Sequence, residues 1–229
     1  MYQQLQSPTW TPKQIHCDLS QRVAVHAEDI IWEPTPYPGI WFGCFEANHL
    51  IQEHPLTMLT RFDPGGFFAP HGHPDGEEIL VVQGMFADET GEYPAGSYLL
   101  NPEWFSHSPY STDGCITFVK LRHHSGKNRN QIRANLNLLP WVSSSIPQIK
   151  VKPLYQQAGF TETVRIERWE PGTHLSWRSE SMVKEIFVLE GIWADELGEY
   201  SAGAWLRYPP GCVYAPSSPE GCVLYVKTY

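Results

Sequence analysis

No run among the 229 residues approaches the ~18 consecutive apolar positions needed to span a bilayer, so a membrane helix is excluded. The opening Met-Tyr-Gln-Gln-Leu-Gln-Ser-Pro has no charged n-region and no apolar h-region, and no secretory signal is expected. Basic residues are scarce, 16 Lys and Arg against 25 Asp and Glu, for a formal net charge of −9. That excess of negative charge opposes phosphate backbones and anionic lipid surfaces, so neither nucleic acid nor membrane is an expected partner. The one basic stretch, Lys120 to Arg133 with His123-His124 inside it, reads as a solvated connection. Cysteines number five, are scattered and form no Cys-x-x-Cys. An odd, scattered set fits buried free thiols in a reducing cytoplasm better than a disulfide framework.

Turn formers and aromatics are plentiful: 20 Pro, 18 Gly and 9 Trp. Frequent turns with aromatic packing point to short strands, hence an all-β fold. Aligning Gly84 with Gly191 reveals a gapless internal repeat from Arg61/Arg168 to Lys120/Lys227. Arg61-Phe-Asp-Pro-Gly65 answers Arg168-Trp-Glu-Pro-Gly172, and Ala87-Asp-Glu-Thr-Gly-Glu-Tyr93 answers Ala194-Asp-Glu-Leu-Gly-Glu-Tyr200. So many unusual residues in one register indicate a duplicated domain. Within each copy, Ile79–Val82/Ile186–Leu189, Ser97–Leu100/Ala204–Arg207 and Cys115–Lys120/Cys222–Lys227 read as strands, and Asp88–Gly91/Asp195–Gly198 as hairpin tips. The expected organisation is a first domain over 1–122, a linker over 123–146 and a second domain over 147–229. Trp32–Asn48 has no evident counterpart of equal length in the second copy.

One segment carries chemistry. In His71-Gly-His73-Pro-Asp-Gly-Glu77 the two histidines are two apart, which on a strand sets both imidazoles on one face. A turn at Pro74-Asp-Gly76 can swing Glu77 back toward them, and His107 arrives from a later strand edge. Three imidazoles and a carboxylate suit Zn, Fe, Mn, Ni or Cu. Glu78 is the rival carboxylate, but adjacent strand residues face opposite ways. Glu78 recurs as Glu185 in the second copy, whereas Glu77 becomes Lys184. That favours Glu77 as ligand and Glu78 as a structural residue. At the other positions the second copy has Arg178, Glu180 and Tyr214. Arg and Lys are not ordinary ligands at neutral pH, so one divalent metal per chain is expected. Arg178 and Glu180, sharing a face, are expected to pair near Lys184 as a salt-bridge plug or a partly solvated mouth, with an anion pocket of Arg178 and Lys184 as the alternative.

His-x-His-x-x-x-Glu77, six residues and Gly84 resemble the first cupin motif, and Gly96, Pro102 and His107 resemble the second. The wording around them (Gly76-Glu-Glu78, Val82-Gln-Gly84, Phe86-Ala-Asp88, Tyr93-Pro-Ala-Gly96, Gly114-Cys115) is similar to the cupin domain of the ChrR anti-sigma factor family. The resemblance implies two tandem RmlC-like jelly-roll barrels, with His71, His73, Glu77 and His107 as metal ligands in the first. A departure is Trp104, where the family has glycine; the second copy keeps it as Gly211. The family's His-x-x-x-Cys-x-x-Cys run, which marks its sigma-binding zinc domain, has no match near His16-Cys17, and that activity is not expected to carry over.

Two functions follow. The first is a cytoplasmic regulatory or sensor cupin, binding zinc and acting through a protein partner or a small-molecule ligand in the barrel, as a monomer or a homodimer. The alternative is an iron-dependent dioxygenase cleaving a small diketone or hydroxyacetophenone. No separate acid–base pair marks an isomerase, and no catalytic residue is assigned.

Overall fold

Short β-branched and aromatic runs, each stopped by a glycine- or proline-bearing turn, fold into strands almost throughout. The computed structural model describes residues 14–48 and 54–229; among them there is no α-helix and a single 3-10 turn, Ala27–Asp29. The chain divides into two units. One comprises Ile31–Arg133 with Cys17 and the described residues before it; the other comprises Asp18–Ile30 with Ala134–Tyr229.

In the first unit the main sheet runs Gln14–Ile15, Ile40–Asn48, Leu56–Phe62, Cys115–Leu121, Glu77–Asp88, Ser97–Asn101. Its centre is the 12-residue strand Glu77–Asp88, which changes partners along its length. Its first half pairs with Ser97–Asn101 and Cys115–Leu121, its second half with Gly91–Pro94 and Tyr110. The change of partners coincides with a bulge, since Ile116 and Thr117 face Gln83 and Val81 and leave Val82 over. Gly84 then adopts φ +76°, and a Cβ there would lie 2.2 Å from the Gly114 carbonyl oxygen. Only glycine permits that approach, and the bulge turns the strand from one sheet to the other. A separate two-stranded ribbon, His71–His73 with Phe105–His107, sets His107 opposite His71. Inside, Ile40, Met58, Phe62, Ile79, Val81 and Phe86 form the core.

The second unit repeats this order: Val142–Ser143, Ile149–Gln156, Thr163–Trp169, Cys222–Thr228, Lys184–Asp195, Trp205–Tyr208, closed by Val23–Val25. Its bulge falls at the equivalent place, with Gly191 at φ +73°. Its core is bulkier: Trp169 and Trp193 meet edge to face at 4.8 Å where Phe62 and Phe86 meet at 5.9 Å.

Three expectations need correction. Trp32–Asn48 does have a counterpart. Trp32–Pro34 pairs with Trp41–Gly43, as Val142–Ser143 pairs with Lys150–Val151. The match is hidden in the sequence because the residues are unlike and the gap to the next strand differs. The domain boundaries also move. Val23–Val25 pairs with Trp205–Arg207, so Asp18–Ile30 belongs to the second unit. Residues 123–133 belong to the first unit and 134–146 to the second, leaving no free linker. Nor is the basic stretch simply solvated, although Lys127 is exposed. Lys120 is fully buried and donates to Thr57 Oγ1 (2.7 Å). His124 is buried against Glu78 (2.7 Å), and Arg133 Nη2 donates to Asn101 Oδ1 (2.7 Å). These side chains satisfy polar groups of the barrel, which outweighs their solvation.

The five cysteines are free. Cys115 and Cys222 are buried at equivalent strand starts, as core packing requires; burial pushes their thiols up to about 11 and about 12. Thiols so raised are poor nucleophiles at neutral pH.

Candidate metal centre

The ribbon brings His71, His73 and His107 into one group, and the start of the long strand sets Glu77 beside two of them. His71, His73 and His107 face one another, with one ring nitrogen from each inside a 4.8 Å circle. Their ring centroids are 4.8–5.1 Å apart. After His73 the chain turns at Gly76 (φ +73°), and Glu77 returns its carboxylate to the group. Glu77 Oε2 lies 3.4 Å from His107 Nε2 and 3.6 Å from His73 Nε2. Glu78 points elsewhere, accepting from Tyr98 Oη (3.1 Å) and His124 Nε2 (2.7 Å).

The tautomers are dictated by the surroundings. His71 Nδ1 donates to the Ala69 carbonyl (2.9 Å), and His107 Nδ1 donates to Asp88 Oδ2 (3.2 Å). In the neutral rings the lone pairs therefore sit on Nε2, facing the centre. His73 Nε2 and His107 Nε2 are only 3.1 Å apart. With the His107 lone pair on Nε2, that contact needs either a proton carried by His73 Nε2 or a cation between the two rings. The donor set, its spacing and its outer hydrogen bonds thus fit a borderline divalent ion.

Electrostatics sharpen the site. Burial pulls His73 below the ordinary imidazole value, with the charge of Glu77 opposing. Burial acts the same way on His107, but the bond to Asp88 and the charge of Glu77 outweigh it and its value rises. Burial raises Asp88, yet the hydrogen bonds from His107 and Thr90 hold its carboxyl below the usual range. Asp88 is therefore a fixed anion behind His107.

Asp88 and Asn101 are the contributors that sequence reasoning missed. Asn101 Nδ2 donates to Glu77 Oε2 (3.0 Å), fixing the carboxylate. Its counterpart is Tyr208, so it changes together with the four expected ligands, and that co-variation between the copies was a usable signal. Asp88 gave none, because Asp195 retains it. There the same carboxylate accepts from Tyr208 Oη (2.7 Å).

Trp104 does not reshape its turn. It holds φ +66°, close to Gly211 at +80°, with its side chain 75% exposed. The turn is retained because the Trp104 N–H donates to the His73 carbonyl (2.8 Å) and Phe105 pairs with His73. Of the nearby aromatics, Phe68 lines a cavity of about 240 Å³ that ends at His71, His73 and Glu77. Phe67, like Trp104, is exposed. The remaining walls are mainly apolar, among them Phe42, Met58, Phe62 and Ile79.

In the second unit the same positions make a different object. Lys184 Nζ donates to Glu180 Oε1 (3.2 Å) and Tyr214 Oη (3.0 Å), and Tyr214 donates to the same Glu180 oxygen (2.5 Å). An ammonium held by the counterparts of His73 and His107 thus stands where the first unit has its histidine group. The expected Arg178–Glu180 pair does not form as a contact. Lys184, rooted deeper in the barrel and shared with Tyr214, takes that carboxylate instead.

Two copies of a jelly-roll barrel, one with a three-histidine centre, define a bicupin. A family model for the ChrR cupin-like domain matches residues 20–125 and again 129–229, so the chain belongs to that family. Among solved structures, a protein from Nostoc punctiforme assigned as a dioxygenase is similar at TM-score 0.80 and 12% identity, covering 92% of this chain and 83% of that one. An oxalate decarboxylase mutant from Bacillus subtilis is similar at 0.65 and 13%, covering 95% and 79%. A cupin barrel protein from Leptotrichia buccalis is similar at 0.65 and 11%, covering 94% and 99%. At such identities the likeness is one of fold. No curated protein matches the chain by sequence. Among the described residues, no helix is long and apolar enough to cross a membrane.

Proposed function

We propose that the first unit holds one divalent metal through His71, His73, His107 and Glu77, and uses it to bind a small ligand in the adjoining cavity as a sensor or regulatory module. The observation that carries this is the position of the donor group at the end of a cavity of about 240 Å³ with mainly apolar walls. A purely structural ion needs no such cavity. Zinc is the first expectation for three imidazoles and a carboxylate.

When bound, the ion supplies a Lewis-acidic centre for an oxygen donor of the ligand. The protein's own residues do the rest. His71 and His107 are oriented by Ala69 and Asp88, and Glu77 is oriented by Asn101. Phe42, Phe62 and Phe68 exclude water from the ligand's apolar part.

A second reading is favoured by the same cavity: an iron-dependent dioxygenase acting on a small diketone or hydroxyacetophenone. The likeness to a protein assigned as a dioxygenase supports it at the level of fold. Elemental analysis of protein purified without added metal separates the two. Zinc, with no oxygen uptake across a panel of diketones and hydroxyacetophenones, supports the sensor; iron with substrate-dependent oxygen uptake replaces it with the enzyme. His107→Ala loses the metal under both readings, and full occupancy in that variant refutes the ligand set.

A further inference from the structure

The second unit has a cavity of about 230 Å³ in the place corresponding to the first unit's, but its lining has changed in kind. Met58 and Thr60 of the first cavity are answered by Arg165 and Glu167, and the histidine pair by Arg178 and Glu180. Three cations (Arg165, Arg178, Lys184) and two carboxylates (Glu167, Glu180) line it, leaving one positive charge in excess.

The existing pairings locate that excess. Glu167 Oε1 is held by Arg165 (Nε 2.7 Å, Nη2 2.6 Å), and Glu167 Oε2 accepts from Trp169 Nε1 (2.9 Å). Glu180 Oε1 is taken by Lys184 and Tyr214. For both carboxyls, burial favours protonation, but neighbouring cations, Lys184 foremost, hold them below the usual range, so both stay charged. Arg178 is different: its Nε is buried and has no hydrogen-bond partner. The residue lines the cavity and forms no ion pair with either carboxylate, and the planar fork of a guanidinium matches a carboxylate.

We propose that the second cavity is a binding site for a small organic monocarboxylate, with Arg178 receiving the carboxylate and a short tail lying along Ile146, Ile149, Val151 and Trp169 in an otherwise polar lining. Size and charge set the class. The cavity is several times the ~30 Å³ share of one water molecule, more than a lone ion needs. A second negative charge on the ligand would meet Glu167 and Glu180 with no cation left to offset it, which selects monoanions over dianions. The two barrels would thus bind chemically different ligands, one through a metal and one through an arginine.

The test is calorimetric titration of the full metal-loaded chain with sodium butyrate, sodium malonate and sodium phosphate at low ionic strength. Butyrate is expected to bind at one site per chain. The expected weakening in Arg178→Met is at least about tenfold, with a smaller loss in Arg178→Lys, which keeps the charge but not the fork. His107→Ala, which removes the metal site, is expected to leave butyrate binding unchanged. Malonate and phosphate are expected to bind more weakly. Absence of saturable binding overturns the proposal, as does undiminished affinity in folded Arg178→Met and Arg178→Lys. Loss of binding in His107→Ala would assign butyrate to the metal instead. Phosphate binding as tight as butyrate would overturn the carboxylate class.

Discussion

Trp104 is the position where the two copies make opposite choices for one backbone conformation, and this permits a prediction by sign. A residue with a Cβ pays roughly 1–2 kcal/mol in the left-handed region. Glycine avoids that cost but gives the unfolded chain more freedom, worth about 0.4–1 kcal/mol against the fold. At φ +66° the first effect exceeds the second. Both Trp104→Ala and Trp104→Gly remove the same side-chain contacts, so comparing them isolates the backbone. The glycine variant is expected to be the more stable by about 0.5–1 kcal/mol. For a unit of this size that is about 2–8 °C in Tm. The usual order in strands and helices is the reverse, alanine above glycine by roughly 0.5–1 kcal/mol. Gly211 supplies the control in the second unit. A Cβ there meets nothing within 4 Å, so Gly211→Ala should lose a similar amount through φ alone. The assay is urea unfolding of the first-unit transition, with midpoints compared at unchanged slope. An alanine variant equal to or more stable than the glycine variant would refute the reasoning.

Other predictions concern the site and its scaffold. Asp88→Asn removes the anion behind His107 and is expected to weaken metal affinity about 10–100-fold, measured by competition with a chromophoric chelator; unchanged affinity would show that Asp88 does not orient the ring. Gly84→Ala forces a methyl group to within 2.2 Å of a backbone oxygen, and the first unit should lose its cooperative unfolding transition, whereas Gly65→Ala, with open space around it, costs only its φ. In the second unit, Glu167 and Glu180 have carboxyls lowered by the fold, so their stabilisation is complete above the ordinary carboxylate range and fades as pH falls through the lowered values. Urea midpoints of the second-unit transition should therefore drop on acidification, with a shallower dependence in Glu180→Gln; an identical pH profile in that variant would count against the assignment.

Much of the architecture is legible in the residues because it is written as local pattern. The runs at Ile79–Val82 and Ile186–Leu189, the Asp-x-x-Gly tips and the 107-residue offset all report backbone geometry that recurs wherever the same short segment occurs. The separation of Glu77 from Glu78 is legible for the same reason, as strand parity plus one comparison between the copies. Trp32–Asn48 was not legible, because its likeness to the Val142–Gln156 hairpin lies in pairing register rather than in residue type. His124 was misread as solvated because nothing nearby in sequence announces that Glu78, 46 positions earlier, needs a partner.

The sequence by itself determined that this is a duplicated β protein in which one copy carries the histidine cluster and the other has lost each of those histidines, since periodicity, turn chemistry and repeat register are local properties of the chain. Only the tertiary structure decided what those residues do to one another. It set Asp88 behind His107 and Asn101 behind Glu77, gave Lys184 the charge of Glu180, and left Arg178 lining a cavity with no ion pair to the carboxylates there. Those outcomes depend on which side chains meet across sheets, and burial in a low-dielectric interior turns each such meeting into a choice between pairing and a heavy desolvation cost.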